Sequence, residues 1–361
     1  MAVLQEFKCP CCDGSIGFDS SSQKMKCPYC DTEFEVESIK SYLETTGAPA
    51  QDDMTWEASG GGSWQTDELT GLRTYVCESC GGEIVGDENA AATTCPFCDS
   101  PVVMQSQFAN ALRPDLVIPF KLDKKAAKEA LKKHYAGKKL LPEVFKDENH
   151  IDQLQGIYVP FWFFDADAQG NMTYKATRIR TWSDSEYYYT KTMHYHVVRA
   201  GSLGFQNVPV DGSSKMDDTL MEALEPFDMQ GAVDFNTAYL AGFLADKYDV
   251  ASDRCATRAN QRIKATTEAA FRNTVSGYSS VLPVNSAVGL KNSRSKYVLC
   301  PVWVLNTTWE GKKYTFAMNG QTGKLVGDLP ADKKALWRWF FSVFGIVTAA
   351  SFLFLWLASL L

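Results

Sequence analysis

Positive charge is scarce in the first third of this chain. Residues 1–110 hold five Lys and Arg (Lys8, Lys24, Lys26, Lys40 and Arg73) against eighteen Asp and Glu, a net of −13. A nucleic-acid-binding face needs clustered cations to neutralise phosphates, so that partner class is disfavoured here. The start, MAVLQEFKCPCC, lacks the apolar run of a secretory signal, and the expectation is an N-terminal bulk that stays in the cytoplasm. The G-x-x-x-x-G-K-[ST] spacing of a phosphate loop is also missing. Asn319-Gly-Gln-Thr-Gly-Lys324 has glycines and a lysine without that spacing, and reads as a tight turn between strands. No small-molecule substrate is evident.

Charge is missing altogether from Trp339 to Leu361, where Phe, Leu, Val, Ile, Ala and Trp dominate. Twenty-three such residues make roughly 34 Å of helix, enough for a ~30 Å hydrocarbon core. Lys333, Lys334 and Arg338 precede the run, and Trp337, Trp339 and Trp356 fall near its two ends, as flanking cations and belt aromatics do. The expectation is a single-pass C-terminal tail anchor over 333–361. Outside the first 110 residues the chain has 31 Lys and Arg against 25 Asp and Glu, net +6. An anionic lipid surface attracts that part and repels the acidic front.

Of the eleven cysteines, eight fall into a metal pattern. Cys9-Pro-Cys-Cys12 is followed after fourteen residues by Cys27-Pro-Tyr-Cys30, and Cys77-Glu-Ser-Cys80 after fourteen by Cys95-Pro-Phe-Cys98. Each C-x2-C turn offers two thiolates, and two turns close a tetrahedral four-sulfur site of the structural zinc type. The equal spacing marks an internal repeat, two small rubredoxin-like zinc ribbons over 1–44 and 70–110. A closed site leaves no open coordination position, so Zn2+ there is structural. Gly81-Gly82 and Asp13-Gly14 are the expected positive-φ positions after the knuckles. Cys11 breaks the matched register and reads as a bystander. An iron centre of the same geometry would be red. Between the ribbons, residues 45–69 are rich in Gly, Asp, Ser and Thr and read as a flexible acidic linker, although Trp56 and Trp64 are unusual in one.

The stretch 111–332 reads as an α+β domain, mixed and mainly antiparallel. Leu116–Lys121 reads as a strand, followed by a helix from an Asp123 N-cap to Ala136 that Gly137 closes. That helix carries Lys124, Lys125, Lys128, Lys132 and Lys133, a solvated face or a surface against lipid headgroups. Two related hairpins are expected, around Pro160 and, 141 positions later, Pro301, with turns at Gly170 and Gly311 and return strands bearing Tyr174 and Tyr314. Both prolines belong at strand starts, edges or bulges. Tyr187–Val198 alternates like a half-buried strand. Helices are expected over Asp217–Leu224, Thr237–Tyr248 and Asp253–Val275. Cys255 and Cys300 read as buried apolar residues, and Asp165 and Asp167 as turn caps. His194 and His196 share a strand face without a third ligand.

Four stretches carry a family likeness: Ile157-Tyr-Val-Pro-Phe-Trp-Phe-Phe-Asp-Ala-Asp, Val208-Pro-Val-Asp-Gly-Ser, Tyr239-Leu-Ala-Gly-Phe-Leu-Ala-Asp-Lys-Tyr-Asp and Phe316-Ala-Met-Asn-Gly-Gln-Thr-Gly-Lys. With the ribbons and the terminal span, the chain resembles bacterial zinc-ribbon membrane proteins often labelled TFIIB-type zinc ribbon-containing or primosomal protein N-prime-like. The resemblance implies a place at the bacterial inner membrane beside phage-shock and SPFH (flotillin-like) membrane-stress proteins, and it supplies no catalytic residues. Only Cys9, Cys12, Cys27, Cys30, Cys77, Cys80, Cys95 and Cys98 carry over as ligands. The combined expectation is a non-enzymatic membrane-anchored adaptor that recruits cytosolic protein partners. The alternatives are a nucleic-acid-binding or transcription-linked protein at the membrane, and a middle-domain enzyme using Asp165, Asp167, His194 and His196.

Overall fold

The computed structural model describes residues 7–12, 14–40, 51–65, 68, 72–87, 94–107 and 112–359. It is a mixed α+β structure whose chain divides into two compact units. Unit 1 comprises residues 1–59, 164–208 and 256–295, and unit 2 comprises 60–163, 209–255 and 296–361.

Unit 1 contains the first ribbon. Its strands β1 (Gly17–Asp19), β2 (Lys24–Lys26) and β3 (Glu33–Phe34) form a three-stranded antiparallel sheet. A helical segment, α1, covers 36–40. Cys9, Ile16, Met25, Cys27 and Ile39 make a small core of their own. A core this small leaves much of the folding energy to a metal.

The rest of unit 1 is built on parts of three long strands, β8 (Gln155–Ser183), β9 (Tyr188–Asp211) and β12 (Ser280–Trp309), and on α5 (Ser252–Asn273). Ile263 and Phe271 of α5 pack with Met172, Tyr174, Val197 and Val288. The hairpin turn expected at Gly170 does not exist. β8 runs on to Ser183, and Gly170 is instead a close-approach site whose Cβ would stand 2.7 Å from Phe271 Cε2.

Residues 51–65, expected as linker, are strapped to both units. Asp53 N donates to Val288 O at 3.0 Å and Leu290 N to Asp53 O at 2.9 Å. Trp56 lies edge-on to Phe164, centroids 4.7 Å apart, and donates to Asn260 Oδ1 at 2.9 Å. In unit 2, Gly62 pairs with Arg113, and Trp64 meets the Phe235 ring edge-on at 5.6 Å. The Gly and Ser content that suggested flexibility suits close passage: a Cβ on Gly60 would strike Lys296 Cα at 2.6 Å. Of this stretch, 45–50, 66, 67 and 69 lie outside the described residues.

In unit 2 the sheet order is β10-β7-β12-β8-β11-β5-β4-β6, with β13 and β14 continuing from β12. These are β10 (Val233–Asp234), β7 (Leu116–Val117), β11 (Leu244–Asp246), β5 (Glu83–Asp87), β4 (Leu72–Val76), β6 (Val103–Gln107), β13 (Lys312–Asn319) and β14 (Leu325–Gly327). β11 pairs with β8, and β12 with β7, in parallel. Both prolines fall where a strand changes neighbours. Pro160 follows the β11 pairing at Ile157 and Tyr158, and Pro301 separates the β7 pairing at Val298 and Leu299 from the β13 pairing that starts at Val302. A residue without an N–H is tolerated at such a break. The hairpin at Glu310-Gly311 stands as expected, with Tyr314 opposite Thr307.

The helix α2 (Lys124–Tyr135) starts at Asp123, whose carboxylate accepts from Ala126 N at 2.7 Å, and ends before Gly137 at φ 78°. α4 (Asp218–Leu224) is likewise capped by Asp217. Thr237–Tyr248 is not a helix: a 3-10 turn over Thr237–Leu240 and a positive-φ Gly242 lead into β11, whose two neighbouring strands outweigh its helical pattern. α6 (Lys333–Ser359) is 27 residues long, about 40 Å, and its segment Lys333–Leu353 is apolar enough to cross a membrane. Trp337, Phe341, Ile346 and Phe352 are all exposed.

Gly170→Ala should lower stability by about 1–3 kcal/mol through overpacking against Phe271. Gly62→Ala, with nothing within 4 Å of the new Cβ, should stay within about 0.5 kcal/mol of wild type. Chemical denaturation of the two variants checks this.

Candidate metal centres

The four knuckles share one backbone design. The N–H of each leading cysteine donates to the carbonyl five residues on: Cys9 to Gly14 (2.7 Å), Cys27 to Thr32 (3.0 Å), Cys77 to Gly82 (3.0 Å) and Cys95 to Ser100 (2.8 Å). After three of the trailing cysteines the backbone turns left-handed, at Asp31 (φ 53°), Gly81 (φ 68°) and Asp99 (φ 59°). Each of those N–H groups donates to the leading cysteine's carbonyl. Asp13, at the corresponding place in the first knuckle, lies outside the described residues. Gly14 and Gly82 serve close approach instead of positive φ. A Cβ on Gly14 would stand 2.5 Å from Tyr29 Cδ2, and one on Gly82 would stand 3.0 Å from Phe97 Cδ2. In each ribbon, then, the aromatic of the second knuckle lies on the glycine two residues past the first.

This folding gathers the eight expected cysteines into two groups of four, each with all its sulfurs within 4.8 Å of one another. Cys9 and Cys30 Sγ are 3.6 Å apart, Cys12 and Cys27 3.5 Å, Cys77 and Cys98 3.4 Å, and Cys80 and Cys95 3.6 Å. Thiolates around an ion at about 2.3 Å stand about 3.8 Å apart in a tetrahedron, so both groups fit a four-sulfur metal site. Cys11 is outside the quartet and exposed, although its N–H donates to Cys9 Sγ at 3.4 Å. Thr32 Oγ1 lies 3.2 Å from Cys30 Sγ and draws that thiol down, whereas burial pushes the Cys9 thiol of the same quartet up.

The two sites differ in their surroundings. Cys12 and Cys30 are exposed, whereas Cys80 and Cys98 are half-buried and Cys77 and Cys95 fully buried. Cys77, Ile84, Cys95 and Phe97 belong to the same core cluster as Ile118, Ile157, Phe161 and Val302. β5 pairs with β11 at Val85 and Ile84. Side chains from elsewhere in unit 2 hold both of these knuckles: Lys215 Nζ donates to Cys80 O at 3.1 Å and Asn306 Nδ2 to Pro96 O at 2.7 Å. The second ribbon is thus one edge of the unit 2 sheet and not a separate small domain.

Cysteine spacing could not single out Lys215 or Asn306. The signal that bears on them is indirect, in the motifs Val208–Ser213 and Tyr239–Asp249, which meet beside this site. Asp249 N donates to Gly212 O at 3.1 Å, and Lys247 pairs with Glu83 at 2.7 Å. Asp246, on β11 between two strands, is 2% exposed, and neither carboxylate oxygen has a hydrogen-bond partner among the described residues. Burial pushes its acid up to about 8, and the nearby Ser213 hydroxyl draws it back only in part.

The other sequence candidates are not gathered. Asp165 lies within β8, not at a turn; it accepts from Asn207 N at 2.8 Å and pairs with Arg294 at 3.1 Å. Asp167 accepts from Asn292 at 2.7 Å. His194 is exposed and His196 half-buried. Among the described residues neither joins a group that could hold a metal. Cys255 and Cys300 are buried.

Metal analysis of the purified chain should give two ions, unchanged in Cys11→Ser. Cys77→Ser should lose one ion and make unit 2 sensitive to proteolysis, whereas Cys9→Ser should lose one ion and leave unit 2 resistant. For Asp246 the native state keeps a proton that the unfolded chain releases above its ordinary value near 4. Its contribution to stability is therefore lost as pH rises from about 4 to about 8. Denaturation across that range should show Asp246→Asn gaining on wild type as pH increases.

No family model matches the chain, and no solved structure matches it. It is 36% identical over 259 residues, covering 72% of this chain and 75% of the relative, to "Uncharacterized protein YdjG" of Bacillus subtilis (strain 168). Likeness of that extent and identity makes this chain a member of the family of Bacillus subtilis YdjG.

Proposed function

We propose that this protein is a non-enzymatic adaptor, anchored by α6 in the bacterial cytoplasmic (inner) membrane with its N-terminal bulk in the cytoplasm, and that it recruits protein partners there. The observation that carries the reading is the pairing, in one chain, of an exposed apolar helix of membrane-crossing length with a small four-cysteine module that has its own sheet and core. That first ribbon displays Phe18 and Tyr29, 56% and 74% exposed. Apolar and aromatic side chains on a stiff support suit protein contact. The second ribbon is enclosed in unit 2, so recruitment falls to the first. Both quartets hold Zn2+, because closed four-thiolate sites with short knuckles suit that ion. The partners belong to the membrane-stress scaffold class that the sequence resemblance points to. The net charge of −13 over residues 1–110 keeps nucleic acid disfavoured.

Affinity purification from detergent-solubilised membranes, comparing wild type with Cys9→Ser/Cys12→Ser, tests this. Membrane-stress scaffold proteins should co-purify with wild type and disappear from the variant, while both chains stay in the membrane fraction. Identical partner lists would remove the docking role of the first ribbon. Recovery of wild type in the soluble fraction would remove the anchor.

A further inference from the structure

Beside the start of α6, the end of α2, the loop after it and residues 146–151 line an open pocket of about 360 Å³. Its lining includes Lys132, Tyr135, Lys138, Lys139, Lys146 and Glu148. The charge there is unbalanced. Lys132 pairs with Glu148 at 2.6 Å, and Lys146 reaches Glu143 only at 3.5 Å. Lys138 donates to the ring of His134 at 2.7 Å, which leaves its charge uncompensated. Lys139 has no acidic partner among the described residues, and its ammonium stands 6.0 Å from the centroid of the Trp339 ring. Tyr135 is 3% exposed, and its hydroxyl has no hydrogen-bond partner among the described residues. A buried hydroxyl left unpaired, on a residue that lines the same pocket as four lysines, is suited to an anionic acceptor.

The place of the cavity selects the source of that anion. Asp332, at the start of α6, donates its N–H to Leu140 O at 2.8 Å, and its carboxylate accepts from Lys334 N at 2.8 Å. The loop that carries Lys138 and Lys139 is therefore tied to the first turn of the apolar helix. In a membrane-crossing helix that turn lies at headgroup depth, where Trp and Lys collect and where anionic lipid presents phosphate.

We propose that the cavity holds the phosphate of an anionic phospholipid headgroup in the leaflet that α6 enters. Lys138, Lys139 and Lys146 supply the charge, and the Tyr135 hydroxyl supplies one hydrogen bond. This rests on the reading of α6 as a membrane anchor. The site adds a lipid preference to what would otherwise be passive insertion.

The test uses the full chain, purified in mild detergent and mixed with equal amounts of phosphatidylglycerol and phosphatidylcholine, with retained lipid counted by native mass spectrometry. Wild type should retain phosphatidylglycerol at least about tenfold over phosphatidylcholine, because both headgroups carry a phosphate but the choline of phosphatidylcholine brings a like charge up to the lysines. Lys138→Gln/Lys139→Gln/Lys146→Gln should bring the ratio to within about twofold of unity, and Tyr135→Phe should lower it several-fold with the fold kept. Equal retention of the two lipids by wild type, or an unchanged ratio in the triple variant, overturns the assignment. Complete displacement of phosphatidylglycerol by millimolar inorganic phosphate also overturns it, in favour of a soluble phosphate ligand. Membrane fractionation of the same chains separates this from the anchor reading. Equal retention of the two lipids by wild type that remains in the membrane counts against the cavity alone, whereas wild type in the soluble fraction removes the anchor and the headgroup assignment with it.

Discussion

Four thiolates brought within a few ångströms repel one another unless a cation sits among them, and this constraint organises both ends of the metal-binding repeat. In the second quartet it reaches well past the knuckles. Cys77 and Cys95 are part of a core that also holds Ile118, Ile157 and Phe161, and β5 continues the sheet into β11 and β8. Binding energy for an ion at this quartet is folding energy for unit 2. The Lys215 and Asn306 contacts to knuckle carbonyls tie the same region to segments more than a hundred residues away in sequence.

The same module in its first copy keeps to itself. It has the glycine under the second-knuckle aromatic, the paired knuckles and the three short strands, yet among the described residues its core is five buried side chains, and its trailing cysteines are exposed. One repeat therefore has two physical settings: a sheet edge enclosed in a large core, and a small body presenting aromatics to solvent. The division explains why the two copies support different roles in the proposed adaptor.

The gathering of the cysteines into two groups of four was legible in the residues, because C-x2-C spacing acts over a few bonds and dictates local geometry whatever surrounds it. The capped helices were legible for the same reason: Asp123 and Asp217 each bond an N–H within their own first turn. Expectations failed where a distant strand decided the outcome. Thr237–Tyr248 has a helical pattern but supplies β11, and Gly170 looks like a turn but makes room for Phe271. Residues 51–65 have linker composition, yet β12, the Arg113 backbone and two tryptophan sites hold them in place. Composition reports a residue's intrinsic freedom, and a hydrogen-bonded neighbour can remove that freedom.

By itself the sequence determined which eight cysteines form the two groups of four, the repeat, the terminal apolar helix and the charge imbalance between the front and the rest. Each depends on spacing or composition over a short stretch, and so on forces that act locally. Only the tertiary structure decided that the second ribbon is a sheet edge, that Asp246 is buried between strands, and that four lysines and Tyr135 line an open pocket beside the first turn of α6. Those arrangements join residues from segments far apart along the chain. They exist because long strands with changing neighbours bring those segments together, and no local pattern records which neighbours a strand will find.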